Sequence, residues 1–256
     1  MTHPMERLYD MHCHLGSMSN AELVAKQAER LGLALLNVTV SPADADACAC
    51  LAHHPNVRTA RGLHPWWIDN GTCDEEDVAR AAIMCAGSRF VGEVGLDFGG
   101  ARAATAPQQI EAFEWIIQSC AEHPVAGRIY SIHAVRAASE ALDALQRFDM
   151  PHNSTCIFHW FSGTSDEFSR ARALGCHFSV NARMLATKRG REYARQVPLN
   201  KLLLETDAPR EFGTPGDAQA LVGELTQALD ALSRVRGESR ELLAGRIAQT
   251  SQELLQ

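Results

Sequence analysis

The most constraining feature of this sequence is an alternation: eight short apolar, β-branched-rich runs separated by stretches of helical periodicity. The runs fall at Leu8–His12, Leu33–Val40, Arg58–Leu63, Phe90–Val94, Ile129–His133, Cys156–His159, His177–Asn181 and Leu202–Glu205. Between them lie Asn20–Leu31, Ala43–His54, Asp74–Cys85, Pro107–Glu122, Ala137–Arg147, Ser165–Leu174 and a weaker stretch at Arg183–Gln196. Two further helices, Ala218–Leu232 and Ser239–Leu255, follow the last run. Ser19 or Asn20 suits the N-cap of the first helix, and Thr164 or Ser165 that of the sixth. Eight strand–helix alternations without a Pro/Gly/Ser-rich linker predict an α/β fold, a single (β/α)₈ TIM barrel over residues 1–256.

Composition narrows the class. With 31 acids against 24 bases the net charge is −7, which argues against a protein that grips nucleic acid through its whole surface but leaves room for a local site. No run approaches the roughly 18 apolar residues of a membrane span, and the opening MTHPMERLYD is charged where a signal peptide is apolar, so a soluble cytoplasmic protein is expected, with no membrane partner. The eight cysteines are scattered and read as reduced thiols. Cys48 and Cys50, two apart on a predicted helix, point in different directions and do not form a metal pair.

In such a barrel the chemistry sits at the carboxyl ends of strands. Here those ends read His12-Cys13-His14, Gly62-Leu63-His64-Pro65, Gly92-Glu93-Val94-Gly95-Leu96-Asp97, Ser131-Ile132-His133, Phe158-His159-Trp160-Phe161-Ser162-Gly163 and Leu204-Glu205-Thr206-Asp207-Ala208-Pro209. Four of these imidazoles, His12, His14, His133 and His159, and two of these carboxylates, Glu93 and Asp207, converging on one mouth suggest metal binding. His12 and His14, two apart on a strand, point to the same side and reach one ion. Six ligands exceed the need of one catalytic zinc and serve two ions sharing a carboxylate.

Plainer readings exist for each residue alone. An HxH pair also occurs on solvated strand faces, and His133 or His159 at the end of an apolar run is commonly a hydrogen-bonded core residue. Glu93 is different, because a carboxylate within the buried text VGEVG is costly unless it is paired or ligating. His3, His53, His54, His123 and His152 are expected at the surface, and His177 begins a strand at the opposite end of the barrel.

The stretches DMHCHL (10–15), GLHPWW (62–67), VGEVGLDF (91–98), SIHAVRAA (131–138), FHWFSG (158–163), FSVN (178–181) and LLLETDAP (202–209) occur in this order from end to end. In these the chain resembles the TatD-like metal-dependent deoxyribonucleases of the amidohydrolase-type barrels. The resemblance implies a two-metal phosphodiesterase with His12, His14, Glu93, His133, His159 and Asp207 as ligands. Glu93 then bridges the ions, Asp207 ligates one and orients the attacking water, and His64 contacts the scissile phosphate. Departures are a small-residue loop expected to be flexible, Phe98-Gly99-Gly100-Ala101-Arg102-Ala103, and Arg136 standing three rather than two residues after His133. The His159–Gly163 text and the following GCHFSVN are most similar to the branch of the family encoded in bacterial anti-phage defence cassettes, whose neighbouring gene products are then expected partners.

The implied cofactors are two divalent ions, zinc, manganese or magnesium, since imidazoles favour the first two and carboxylates also accept the last. The implied substrate is DNA, trimmed in exonuclease fashion because a barrel mouth takes a strand end or single strand more easily than the side of a duplex. Trp66, Trp67 and Trp160 stand beside the expected ligands and suit stacking on unpaired bases, although rim packing is an equal account of two of them. Arg136 and His64 complete the expected substrate contacts. Two other readings compete: a hydrolase of a small ester or amide from the same barrel class, and a catalytically idle subunit of a defence or repair complex. Many enzymes of the first kind bridge their metals with a carbamylated lysine, but Lys26, Lys188 and Lys201 all lie away from strand ends. The idle reading predicts a lost ligand, and all six are present. Two carboxylates and two divalent ions make a mouth of net charge about +2, and 21 of the 24 bases are Arg, suited to phosphate.

Overall fold

The computed structural model of the protein describes residues 7–256; His3, expected at the surface, lies outside the described residues. The strands are β1 (Leu8–Cys13), β2 (Leu33–Val38), β3 (Val57–Leu63), β4 (Phe90–Asp97), β5 (Ile129–Val135), β6 (Thr155–His159), β7 (His177–Val180) and β8 (Leu202–Leu204). The helices are α1 (Ala21–Arg30), α2 (Pro42–Ala47), α3 (Pro65–Asp69), α4 (Glu75–Ala86), α5 (Ala106–Glu122), α6 (Ala138–Arg147), α7 (Met150–Asn153), α8 (Ser165–Ala173), α9 (Ala182–Ala186), α10 (Lys188–Gln196), α11 (Ala218–Arg236) and α12 (Arg240–Leu255). The strands run in sequence order in one eight-stranded sheet with helices between them, the (β/α)₈ topology of a TIM barrel. No helix among the described residues is long and apolar enough to cross a membrane.

The chain forms two compact units. The first takes the described part of Met1–Asn37, with Cys48–Thr59 and Phe178–Gln256. In it β1 pairs parallel with β2 from Leu8↔Leu33 to Cys13↔Asn37, and β7 with β8 from Phe178↔Leu202 to Val180↔Leu204. Its core gathers Met11, Val24, Leu35, Leu225, Leu229 and Ile247. The second takes Val38–Ala47 and Ala60–His177, with β4 paired to β3 and β5, and β5 to β6. Val91, Val94, Ile116, Ile132, Phe158 and Phe168 fill it. Every position of β2, and all but the first of β1 and β4, is buried, as parallel strands covered on both faces require.

The expected strands all form, and the differences lie at their ends and in the helices. β4 runs three residues past the expected Val94, pairing Gly95↔His133, Leu96↔Ala134 and Asp97↔Val135. Gly95 permits this: at φ +146° a Cβ there would stand 2.0 Å from the His133 carbonyl oxygen. The helix expected over Ala43–His54 is α2 followed by a 3₁₀ segment, Cys48–His53, in which Cys48 is buried and Cys50 exposed. The stretch Arg183–Gln196 breaks at Thr187, whose hydroxyl caps α10 by accepting the Gly190 N–H at 2.9 Å. Thr164 caps α8 in a capping box with Glu167. Asn20 precedes α1 but gives no side-chain cap; its amide instead exchanges two hydrogen bonds with Gly216. His54, expected at the surface, is buried where the chain turns into β3. All eight cysteines are free.

Candidate metal centre

Glu93 organises the second unit. It is 2% exposed, and its Oε1 lies 2.8 Å from His133 Nδ1, 2.9 Å from His159 Nε2 and 3.2 Å from His64 Nε2. Thr39 clamps the peptide that carries it: the Glu93 N–H donates to the Thr39 carbonyl at 2.8 Å and the Thr39 N–H to the Gly92 carbonyl at 3.1 Å. Gly62 on β3 allows the approach, since a Cβ there would fall 2.3 Å from the Glu93 carbonyl oxygen.

The roles of the imidazoles follow from their second nitrogens. His64 is the N-cap of α3, and its Nδ1 accepts the Trp66 backbone N–H at 3.1 Å. A neutral imidazole has one N–H, so the proton of His64 is on Nε2. His64 therefore donates a hydrogen bond at this site, although its Nε2 lies within 4.8 Å of the ligand atoms of Glu93 and His133. His133 turns Nδ1 to Glu93 and His159, and Nε2 toward Asp97 Oδ2 at 3.4 Å. Burial disfavours its charged form, but the hydrogen bonds to Asp97 and Glu93 outweigh this and raise its pKa.

Asp97 was legible in the sequence as part of VGEVGLDF, but its role was not. Its Oδ2 takes the Trp66 Nε1–H at 2.6 Å and pairs with Arg102 Nε at 3.0 Å, and its Oδ1 accepts the Gly99 N–H at 2.7 Å. Burial would raise its pKa; hydrogen bonds from His133, Trp66 and Gly99 hold it well below the ordinary carboxylate range instead. The Arg102 guanidinium lies 4.7 Å from the Trp66 ring centre. The loop expected to be flexible is thus corrected: Gly100–Thr105 is a 3₁₀ segment tied down by Arg102. Trp66 remains 43% exposed, and Trp67 lies 5.9 Å from the His64 ring. Trp160 and Arg136 follow β6 and β5 in left-handed backbone conformation, with φ 38° and 54°. Arg136 is exposed and shares no hydrogen bond or ion pair with the cluster among the described residues.

The first unit carries a second cluster. His12 and His14 on β1 turn Nε2 to the same atom, Asp207 Oδ1, at 3.7 and 3.6 Å. Asp207 follows β8 with φ 56°, a conformation that β-carbon sterics disfavour, and it is fastened on both sides: its N–H donates to the His12 carbonyl at 2.9 Å, and the His14 N–H donates to the Ala208 carbonyl at 2.7 Å. Arg183 Nη2 pairs with its Oδ2 at 3.1 Å and also donates to the Thr206 carbonyl at 3.1 Å. Beneath lie two buried acids that sequence reasoning left without a role. Asp10 accepts the His12 N–H at 3.2 Å, the Thr206 N–H at 3.0 Å and the Thr206 hydroxyl at 2.5 Å. Burial, helped by Glu205, pushes its pKa up to about 7 against the pull of those bonds. Glu205 accepts hydrogen bonds from Ser179 and Asn181.

Both clusters have the chemistry of divalent-metal sites. In the second unit, imidazole nitrogens crowd a single buried carboxylate oxygen, an arrangement that a cation resolves, and the carboxylate behind His133 is the usual partner of a ligating imidazole. In the first, two imidazoles and a carboxylate converge.

The sequence profile of the TatD-related DNases matches residues 9–256. The 3′-5′ ssDNA/RNA exonuclease TatD of Edwardsiella piscicida is 32% identical over 165 residues, which cover 62% of this chain and 59% of that protein. The protein of the same name from Pantoea vagans is 31% identical over 206 residues, 75% of each chain. Among solved structures, YjjV, a TatD homologue from Escherichia coli K12, aligns with a TM-score of 0.81 over 98% of both chains at 21% identity, a likeness of fold.

Proposed function

As the chain belongs to the family of TatD-related DNases, we propose that it is a metal-dependent nuclease hydrolysing DNA phosphodiester bonds, with residues 1–256 acting as one catalytic domain. The observation that carries the reading is Glu93, a buried carboxylate with three imidazole nitrogens 2.8–3.2 Å from one of its oxygens. We assign Glu93, His133 and His159 to one divalent-ion position and His12, His14 and Asp207 to another, the ions being zinc, manganese or magnesium. Their placement in β1, β4, β5 and β6, or just after β1 and β8, of one eight-stranded sheet supports the assignment. Ions held by these residues would lower the pKa of a water and offset charge growing on the phosphoryl oxygens.

The protein's own groups do the rest. Asp207, the more open carboxylate, takes the proton of the attacking water. His64, whose proton sits on Nε2, donates to a non-bridging oxygen of the scissile phosphate. Asp97 holds His133 in the tautomer that leaves Nδ1 free to ligate. Trp66, kept exposed by its bond to Asp97, and Trp160 offer stacking surfaces for unpaired bases, and Arg136 is an outer phosphate contact. Substrate entry at strand ends favours exonuclease-like trimming of single-stranded DNA.

The test is incubation of metal-loaded protein with 5′- and 3′-labelled single- and double-stranded DNA. A stepwise ladder from one end, abolished by a chelator and in Glu93→Ala, is expected. Hydrolysis confined to small esters would overturn the nuclease reading, and fewer than two bound ions would favour an idle scaffold. A role in phage defence rests on the text of residues 158–163 and 175–181 alone; plaque counts unchanged with and without the neighbouring genes would remove it.

A further inference from the structure

Large aromatic side chains in this protein are mostly buried: Phe158, Phe168 and Phe178 are fully enclosed. Phe212 is not. It is 43% exposed, and its ring packs against His14, with ring centres 5.2 Å apart and planes tilted by 52°. Its exposure does not come from a loose loop. The Gly213 N–H donates to the Ser17 carbonyl at 2.8 Å, the Ser19 N–H to the Thr214 carbonyl at 3.1 Å, and the Gly216 N–H to Asn20 Oδ1 at 2.7 Å, while Asn20 Nδ2 returns a bond to the Gly216 carbonyl at 3.0 Å. Gly213 makes the turn that brings Phe212 there, at φ +82° with open space where a side chain would stand. Asn20 is diverted from capping α1 to hold this loop. An apolar ring is thus fixed against a proposed metal ligand with much of its surface left in water, where burial would have been favourable.

We infer that Phe212 is the stacking platform for an unpaired nucleobase next to the scissile phosphate, and that it gives the enzyme its preference for single strands. The inference rests on the nuclease reading through the role of His14. A base in a duplex already has both faces covered by its neighbours, so only an unpaired one can lie on the ring. Phenylalanine has no hydrogen-bonding group, so the contact tells paired from unpaired but does not read sequence. Pre-ordering of the loop means that the ring is in place before the strand arrives, so little ordering entropy opposes the contact.

The experiment measures kcat/KM of the metal-loaded enzyme on three substrates: a labelled single-stranded oligothymidylate, the same strand in a blunt duplex, and a single strand whose terminal nucleotides are abasic. Phe212→Ala should lower kcat/KM on the first by roughly 5- to 100-fold, the loss expected of one stacked base. The other two substrates should change little, and Phe212→Trp should restore the first. Unchanged cleavage of the single strand would overturn the inference. So would an equal loss on all three substrates, which would make Phe212 only a prop for His14; metal content of the variant tests that role separately. If the wild type cleaves no DNA, the nuclease reading fails alone. Fluorescence anisotropy of the same oligonucleotides on chelator-treated protein then decides. Tighter binding of thymidylate than of the abasic strand, lost in Phe212→Ala, upholds the platform, and no difference overturns it.

Discussion

Glu93 and Asp207 each anchor a histidine cluster, and they are held in opposite ways. Glu93 is 2% exposed, and three imidazole nitrogens stand 2.8–3.2 Å from its Oε1. The Asp207 side chain is 20% exposed, its imidazoles stand 3.6 and 3.7 Å away, and a permanent cation, Arg183, pairs with it at 3.1 Å. Imidazoles can exchange a proton for a metal ion, whereas a guanidinium cannot give up its charge. At Glu93 the donors are already packed around one oxygen, whereas at Asp207 they stand farther off and beside a fixed cation. The difference teaches that the two proposed metal positions would be unequal, the first with its donors in place and the second with donors that must close in against Arg183.

The sharpest way to break this comparison is to neutralise each carboxylate in turn. Glu93→Gln and Asp207→Asn should each lower kcat/KM by about 1,000-fold, a loss typical of removing a principal charge-stabilising group. They should part in metal content. After dialysis, Asp207→Asn retains one ion per chain by elemental analysis, and Glu93→Gln retains fewer. Equal losses would make the positions equivalent. Asp97→Asn is next in size. Asp97 orients His133 through Nε2 at 3.4 Å, and loss of such a supporting carboxylate typically weakens metal binding 10- to 100-fold. Titration calorimetry should find the weakening at the Glu93 position and leave the other unmoved.

The elements legible in the sequence were those fixed by local pattern. Parallel strands buried on both faces leave continuous apolar runs, which is why all eight were found. β4 outruns its expected end at Val94 because the missing β-carbon of Gly95 lets it lie against His133. Asn20 looked like a cap and instead bonds a residue 196 positions away. Thr187 splits an amphipathic stretch because its hydroxyl offers a new helix start. The same division holds for the site. His12, His14, Glu93, His133, His159 and Asp207 announced themselves as ionisable groups at strand ends. The roles of Asp97, Arg102, Arg183 and Asp10 depend on distances between separate segments, and no spacing encodes those.

Arg183 sharpens the comparison at smaller scale. Its pair with Asp207 is partly exposed, and such pairs are worth at most about 1 kcal/mol. If the guanidinium competes with the second ion, Arg183→Gln should tighten binding of that ion by up to about fivefold in calorimetry. Weaker binding would mean that Arg183 supports the site by holding the Thr206 carbonyl and the Asp207 loop.

Asp10 supplies the last and smallest effect, and it extends the contrast to a third way of holding a carboxylate. It is fully buried, and its three hydrogen-bond donors, two backbone amides and the Thr206 hydroxyl, are all neutral. With no cation beside it among the described residues, a proton resolves the burial, and its pKa rises from 3.8 to about 7. The folded protein therefore binds this proton more tightly than the unfolded chain does. The associated stability is complete below the unfolded value near 4, is lost as pH rises through about 7, and changes no further above that. Asp10→Asn has nothing to titrate at this position. In metal-free protein, the thermal midpoint of the wild type should fall relative to that of the variant between pH 5 and pH 8, by about 3 °C or more if even 1 kcal/mol of the linkage is realised. Parallel pH profiles for the two proteins would show that Asp10 is held as an ionised carboxylate, and the contrast would reduce to Glu93 and Asp207.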